Sequence, residues 1–143
     1  MTNTTVPATT AASFATGGAN TTPIRRLRRL LTVDAVTCLA TGLVAAAAAP
    51  GMHDRLGLAS ATPMVAVGAF LVVYASVLAV LARTDERLAR TGARVTVAGD
   101  AMWVIATVAL VLVGTFSGLG VAVAAAVGVV VAVLGTEKAL ALR

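Results

Sequence analysis

Two aspartates, Asp34 and Asp100, are the only acidic or basic side chains inside the long apolar runs of this sequence. A charged side chain at the centre of a membrane helix costs about 2.5–3.5 kcal/mol on insertion scales, so such a residue normally has a partner or a task. In one interpretation, the aspartates pair with flanking arginines and join two helices. In the other, they bind a proton or a cation inside a helical bundle. The sequence leaves both interpretations open.

The apolar runs that carry these aspartates predict an all-α membrane protein. Hydrophobic residues make up 59% of the chain and charged residues 12%, and the mean hydropathy is +0.96. Soluble domains carry roughly 25% charged residues. About 20 helical residues cross a hydrocarbon core of about 30 Å. We therefore predict four transmembrane helices, which span approximately residues 30–49, 62–82, 95–114 and 119–135.

The first run has an alternative interpretation as a cleaved signal peptide. The sequence RRLRR precedes it, and small residues precede Pro50. However, Asp34 interrupts the apolar stretch, about thirty residues precede that stretch, and it is long enough to span a bilayer. The other three runs would leave a membrane protein in either case.

The basic residues predict the orientation of the four helices. Of the eleven Lys and Arg residues, all except Arg55 flank the same side of the predicted spans. The positive-inside rule places that side in the cytoplasm. We therefore predict an up-down-up-down bundle in the cell inner (cytoplasmic) membrane, multi-pass, with both termini cytoplasmic. Residues 1–24, rich in Thr and Ala, are predicted to form a disordered cytoplasmic tail, and residues 25–143 a single membrane domain.

Small residues recur at every fourth position of the last run, at Gly120, Ala124, Gly128 and Ala132. Such a stripe lets two helix backbones approach closely. It predicts helix packing, either inside one copy of the chain or between two copies. A homodimer through the fourth helix is therefore one expectation, beside the lipid bilayer as the main partner.

The remaining polar residues predict little chemistry. Trp103 lies one turn after Asp100, which is a plausible acceptor for its indole N–H. Cys38 is alone in an apolar setting and is expected to be inert. His53 has no second histidine or cysteine near it, so we predict no metal site and no cofactor.

No catalytic motif of a hydrolase, a nucleotide-binding enzyme or a metalloprotease is present, so we predict that the protein is not an enzyme. Nucleic acid is not expected as a partner, because the basic residues flank apolar runs. Our first hypothesis is a structural or partner-binding membrane protein. The alternative is a small proton-coupled transporter or channel that acts as a dimer through Asp34 and Asp100.

Four stretches carry a resemblance to known membrane proteins: LLTVDAVTCLATGLVAAAAAPG, LGLASATP, VGAFLVVYASVLAVLAR and GARVTVAGDAMWVIATVALVLVG. Over residues 30–143 the chain resembles a group of small uncharacterised four-helix integral membrane proteins of actinobacteria. The resemblance implies a bacterial origin and a four-helix fold. In length and number of spans the chain is also similar to the small multidrug resistance transporters. The chain departs from these transporters in two ways: its first predicted span carries Asp34 near the cytoplasmic edge in place of their mid-span Glu, and it lacks their aromatic-rich binding chamber.

Overall fold

The structure, a computed structural model, describes residues 21–143, and residues 1–20 of the predicted tail lie outside the described residues. Within that range the chain forms four helices: α1 (Thr21–Met52), α2 (Thr62–Leu81), α3 (Glu86–Leu112) and α4 (Gly118–Ala141). Each is long and apolar enough to cross a membrane. The predictions of an all-helical fold and of four helices long and apolar enough to span a membrane are confirmed.

Three of the helices extend well beyond the apolar runs, because polar residues can form their ends. α1 begins at Thr21, within the last four residues of the predicted tail. Pro23 falls in its first turn, where a missing N–H is tolerated. α3 begins at Glu86 rather than near residue 95, since the Asp85 side chain accepts a 2.9 Å hydrogen bond from the Leu88 N–H and caps the helix. α4 continues past residue 135 to Ala141.

The α1–α2 and α3–α4 connections meet at one end of the bundle. The Ser117 N–H donates to the Leu56 carbonyl at 2.9 Å, and the Ser117 hydroxyl donates to the Arg55 carbonyl at 2.5 Å. Gly57 has a φ of +84°, and a Cβ atom at this position would lie 2.5 Å from the Ser117 nitrogen. Glycine is therefore required where the two connections touch.

α1 and α2 pack closely around two glycines. A Cβ atom at Gly42 would lie 2.7 Å from the Gly68 carbonyl oxygen, and one at Gly68 would lie 2.6 Å from the Gly42 carbonyl oxygen. At one end of the same pair, Arg28 donates to the Thr84 carbonyl at 2.8 Å. The two helices therefore run in opposite directions and touch backbone to backbone near their middle, as small-residue contacts allow.

The buried core lies toward the arginine-bearing end of the bundle. The last residues of α4 pack against this core, whose members come from the first three helices. They are Leu27, Leu31, Ala35, Cys38, Ala75, Leu78 and Ala93. α3 packs mainly on α4, and α4 also contacts α1, whereas the backbones of α2 and α4 do not approach closely within the described residues. The two helix pairs are thus joined at their ends, and a space remains between them near the middle.

Candidate functional site

Asp34, Asp100 and Lys138 form one buried cluster that joins three helices. Lys138 Nζ lies 2.5 Å from Asp34 Oδ2 and 2.5 Å from Asp100 Oδ2. The Lys138 side chain is fully buried, and the two carboxylate side chains are 5% and 10% exposed. α1, α3 and α4 each contribute one charged group. The cluster holds two carboxylates and one amine, an unequal number of acidic and basic groups.

The two carboxylates have different hydrogen-bond partners. Asp34 accepts from Lys138 Nζ through Oδ2 and from the Cys38 thiol, at 3.5 Å, through Oδ1. Asp100 accepts from the Tyr74 hydroxyl through Oδ1 at 3.1 Å. Asp100 Oδ2 is within ionic distance of Lys138 Nζ, yet among residues 21–143 it makes no contact with the geometry of a hydrogen bond. Both oxygens of Asp34 accept hydrogen bonds, whereas Asp100 Oδ2 is held by its ion pair with Lys138.

Small residues on α4 let α3 come close enough to build this cluster. Gly135 is buried one turn before Lys138. A Cβ atom at Gly135 would lie 3.4 Å from both Asp100 Cβ and Asp100 Oδ2. Thr96, one turn before Asp100, directs its hydroxyl to the Ala93 carbonyl, and its own carbonyl is 3.3 Å from the Tyr74 hydroxyl. Gly135 therefore lies directly against Asp100, one turn from Lys138 on the same helix.

A cavity of about 520 Å³ adjoins the cluster. Asp34 and Asp100 belong to its wall, together with residues from all four helices that are mainly apolar: Thr37, Cys38, Thr41, Phe70, Leu71, Tyr74, Gly99, Met102, Trp103, Ala106, Ala126, Val127, Val130, Val131 and Leu134. From Asp34 to Thr41 the helix rises about 10 Å. The cavity therefore extends from the buried charges toward the middle of the bundle.

Aromatic rings line one side of the cavity. Phe70 of α2 stacks on Trp103 of α3, with ring centroids 6.2 Å apart and an interplanar angle of 3°. Phe70 also stacks on Tyr74 one turn later, at 6.0 Å and 12°. The three rings form a continuous apolar surface that ends at the Tyr74 hydroxyl and Asp100.

The structure thus brings together the two aspartates that the sequence singled out, but with a different partner from the expected one. Their counter-charge is Lys138, whereas two arginines of the N-terminal flank have other partners. Arg26 pairs with Glu137 at 2.6 Å, and Arg28 binds the Thr84 carbonyl. A lysine here can bridge two carboxylates because its ammonium carries three donors.

The expected hydrogen bond between Trp103 and Asp100 is replaced by one from Tyr74. Within residues 21–143, the side-chain donors to the Asp100 carboxylate come from α2 and α4, and the Trp103 ring packs on Phe70 instead. Trp103 shares a helix face with Asp100, but its ring is held against Phe70, whereas the Tyr74 hydroxyl reaches Asp100 from across the bundle. The sequence could not identify that neighbour before the packing was known.

The small-residue stripe of α4 is divided between different surroundings. Gly120 is buried, and a Cβ atom there would collide with the Leu56 carbonyl. No atom lies within 4 Å of the corresponding position at Gly128, and Ala124 is only half-buried. Ala132 is exposed. In this single copy the stripe packs at one end, so its role between two copies stays a prediction.

Lys138 is the site residue that sequence reasoning missed. We counted it among the basic residues outside the membrane, because the predicted fourth span ended at residue 135. Two features of the sequence indicate instead that Lys138 lies inside the bundle. Lys138 is followed by Ala139-Leu140-Ala141-Leu142, and two aspartates in apolar runs require a cation. A search for one basic residue with apolar neighbours would have found it.

Within residues 21–143, no group of three or more His, Cys, Asp or Glu side chains is arranged to hold a metal ion. Of these four residue types, only Asp54 contacts the His53 side chain, with its Oδ1 atom 3.3 Å from His53 Nε2 in the α1–α2 connection. Comparison with protein-family models, with curated proteins and with solved structures finds no match to this chain. Inference about function therefore depends on the charged cluster and its cavity.

Proposed function

We propose that this chain is a small proton-coupled transporter or channel of the cytoplasmic membrane, and that the Asp34–Lys138–Asp100 cluster is its proton-binding site. The observation that carries the proposal is the unequal number of buried charges beside a cavity. A purely structural ion pair needs one cation for each anion, whereas here Lys138 faces two carboxylates.

The charge count requires a further positive charge in this cluster. With both carboxylates ionised and Lys138 protonated, the group would carry a net charge of −1. An uncompensated charge buried in a medium of low polarity is strongly unfavourable, so the group takes up a proton or a cation instead. Asp34 and Lys138 form a hydrogen-bonded neutral pair. Asp100 therefore holds the additional proton, and releasing it is the elementary step of coupling.

The distribution of arginines supports an orientation for this process. Four arginines lie in the first turns of α1 and four more between the end of α2 and the first turns of α3. By the positive-inside rule, we place this end and both termini in the cytoplasm, with the four helices running up-down-up-down. Asp100 lies about 9 Å along the helix axis beyond Arg94. The cluster is then near the cytoplasmic side, and the cavity leads from it toward the membrane centre.

A structural or partner-binding role is the second candidate, and one observation favours it. Lys138 connects α1 and α3 to α4, so the cluster can hold the two helix pairs together without moving protons. All four helices of one copy line the cavity, so neither candidate requires a second copy for the site itself.

An infrared measurement on the purified protein tests the bound proton. A protonated carboxyl group has a C=O stretch that a carboxylate lacks. We expect the wild type to show this band at neutral pH. Asp100→Asn and Asp34→Asn each leave one carboxylate to pair with Lys138, so both variants lose it. Glu137→Gln, on the residue beside Lys138, is the matched control and should keep the band. A wild type without the band would refute the proton-binding site.

A flux measurement then separates the candidates. The protein is placed in liposomes with a pH-sensitive dye inside, and a potassium diffusion potential drives proton entry. A channel moves protons faster than protein-free liposomes, and Asp100→Asn reduces this flux about tenfold, as removal of an intramembrane relay carboxylate should. The band without the flux excludes the channel form and leaves either a coupled transporter or a structural cluster that keeps its proton. Absence of the band and of the flux leaves the structural role.

A further inference from the structure

A second cavity, distinct from the one that the aromatic rings line, is a groove between α3 and α4. Its volume is about 370 Å³, and it runs between residues 97–105 of α3 and residues 131–139 of α4, a length of about 12 Å. Ala101, Ile105 and Ala132 belong to its wall and are exposed. The groove is therefore open at the surface of the bundle, where it faces the lipid chains of a bilayer.

The polar side chains of the groove already have partners. Asp100 and Thr136 are its two polar members, and its other lining residues are Ala, Val, Ile or Gly. The Thr136 hydroxyl donates to the Ala132 carbonyl at 2.7 Å. The Asp100 carboxylate accepts from Tyr74 and is paired with Lys138. A polar solute would lose its hydration here without replacement, so the groove suits a hydrocarbon chain.

The register of α3 against α4 determines which residues share an end of the groove. The short connection of residues 113–117 joins the two helices, which run in opposite directions. Gly135 of α4 lies against Asp100 of α3. Val97, three residues before Asp100, and Ala139, four residues after Gly135, therefore lie at the same end of the groove.

Both helices carry an arginine just beyond that end. Arg94 lies one turn before Val97 on α3, and Arg143 lies one turn after Ala139. The Arg143 N–H donates to the Leu140 carbonyl at 3.4 Å, so the helical turn of α4 continues to this residue. Residues three or four positions apart share a helix face. The two arginines therefore continue the faces that form the groove.

The charges of these two arginines are available to a ligand. Arg94 and Arg143 are exposed, and within residues 21–143 neither makes an ion pair. Arg90, one turn before Arg94, is instead paired with Glu86 at 2.9 Å. The end of the groove thus has a net positive charge. Basic residues between membrane helices at the level of the headgroups bind anionic lipids, and the long arginine side chain reaches that level from a helix end.

We propose that this groove binds one anionic phospholipid, with an acyl chain between α3 and α4 and the phosphate at Arg94 and Arg143. The apolar wall contacts the chain. The two guanidinium groups donate to the phosphate oxygens, which the planar fork of their N–H groups fits. The inference is independent of the proposed function, because neither arginine belongs to the charged cluster.

Native mass spectrometry of the purified full chain counts the lipids that bind to it and measures their affinity. The protein is titrated in detergent with dioleoylphosphatidylglycerol. Dioleoylphosphatidylcholine, which has the same chains and no net charge, is the matched lipid. We expect the first phosphatidylglycerol to bind at least about tenfold more tightly, because each arginine at a membrane surface strengthens binding of an anionic lipid about fivefold. Equal affinity for the two lipids would overturn the proposal.

Variants of single arginines locate the headgroup. Arg94→Gln and Arg143→Gln should each weaken binding of the first phosphatidylglycerol about fivefold. Arg25→Gln removes the same charge from α1, which does not contribute to the groove, and should bind as the wild type does. If Arg25→Gln weakened binding as much as Arg94→Gln, the attraction would be general to the arginine-bearing end, and the assigned site would be wrong.

A pair of larger side chains locates the acyl chain. Ala101→Phe fills the groove without changing a charge and should weaken binding at least about tenfold. Ala98→Phe, also exposed on α3 but outside the groove wall, should leave the affinity unchanged. Both positions are exposed, so both variants should fold. Unchanged binding in Ala101→Phe would overturn the proposal, since the arginines alone would then hold the lipid.

The same spectra show whether a second copy of the chain covers the groove instead. A single chain that carries one tightly bound phosphatidylglycerol supports the lipid site. A lipid-free dimer that Ala101→Phe separates, and that phosphatidylglycerol does not, would overturn it and assign the groove to a second copy.

Discussion

Two kinds of contact hold the helices of this molecule together. α1 and α2 touch backbone to backbone, and neither Gly42 nor Gly68 has room for a Cβ atom. α4 joins α1 and α3 through a buried lysine and two aspartates, and beside them a cavity of about 520 Å³ remains. One contact is apolar and tightly packed, and the other is charged and only partly filled.

This difference indicates where the protein is rigid and where it can change. In lipid, close packing of small residues stabilises helix contacts without help from the hydrophobic effect. A contact made by three charges depends instead on their protonation, because loss or gain of one proton changes the balance of attraction. We therefore expect the α1–α2 contact to be insensitive to pH, and the contact of α4 with α1 and α3 to depend on the charge state of the cluster.

Removal of Lys138, the central cation of the cluster, should have the largest effect on stability. Lys138→Met removes the one cation that faces the buried Asp34 and Asp100, which we expect to lower the free energy of unfolding by about 3–5 kcal/mol. Protonation of the carboxylates relieves the repulsion. The folded variant then binds more protons than the unfolded chain, so its stability should rise as the pH falls.

Thermal unfolding in detergent at two pH values measures this effect of Lys138→Met. Adding Asp34→Asn and Asp100→Asn to the same chain removes both buried charges and should restore most of the lost stability. A variant that is as stable as the wild type at neutral pH would show that the charged cluster does not hold the helix pairs together.

A methyl group added to the tight contact should have the next largest effect. In Gly68→Ala the new Cβ atom would lie 2.6 Å from the Gly42 carbonyl oxygen, so α1 and α2 must separate. Overpacking of this kind costs about 1–3 kcal/mol. In Gly128→Ala no atom lies within 4 Å of the new Cβ, so we expect almost no change. Unfolding in increasing denaturant compares the two variants, and equal losses would refute the distinction between the two helix pairs.

The sequence was sufficient to predict the helices but not the partners of their polar residues. Long apolar runs bounded by Pro, Gly and Arg indicate spans, because a backbone in lipid must satisfy its hydrogen bonds internally. The helices nevertheless continue into polar residues such as Glu86 and Lys138, where hydropathy alone gives no signal. The periodicity of an Ala- and Val-rich helix also fails to indicate which face meets which neighbour.

The candidate site also combines residues that the sequence predicts with residues that it does not. Asp34 and Asp100 stand out in the sequence because a carboxylate in an apolar run is rare. Lys138 and Tyr74 become part of the site only through the approach of α4 and α2, and that approach depends on contacts far apart in the chain, such as Gly135 against Asp100. The stripe at Gly120 to Ala132 is evident from the sequence, whereas the close contact between Gly42 and Gly68 is evident only from the structure.

Loss of one hydrogen bond within the cluster should have a smaller effect than the changes above. Tyr74→Phe removes the hydroxyl that donates to Asp100 Oδ1 at 3.1 Å and keeps the ring that packs on Phe70. Hydrogen bonds between membrane helices contribute about 0.6 kcal/mol on average, so we expect a loss of this size in thermal unfolding. We also expect the infrared band of the protonated carboxyl group to shift, because its surroundings change. A band at the wild-type frequency would indicate that the proton does not reside on Asp100.

The smallest effect should come from the ion pair that lies beside the cluster but outside the core. Arg26 and Glu137 are 2.6 Å apart, yet their side chains are 57% and 41% exposed, so solvent and salt weaken their attraction. Glu137→Gln should change the free energy of unfolding by less than about 1 kcal/mol, and high salt should remove even that difference. Unfolding curves of the variant and the wild type at low and high salt measure it. If Glu137→Gln lowered stability as much as Lys138→Met on the next residue, burial would not explain why the buried cluster contributes more to stability than the exposed pair. The contrast between the charged contact and the apolar contact would then have no electrostatic explanation.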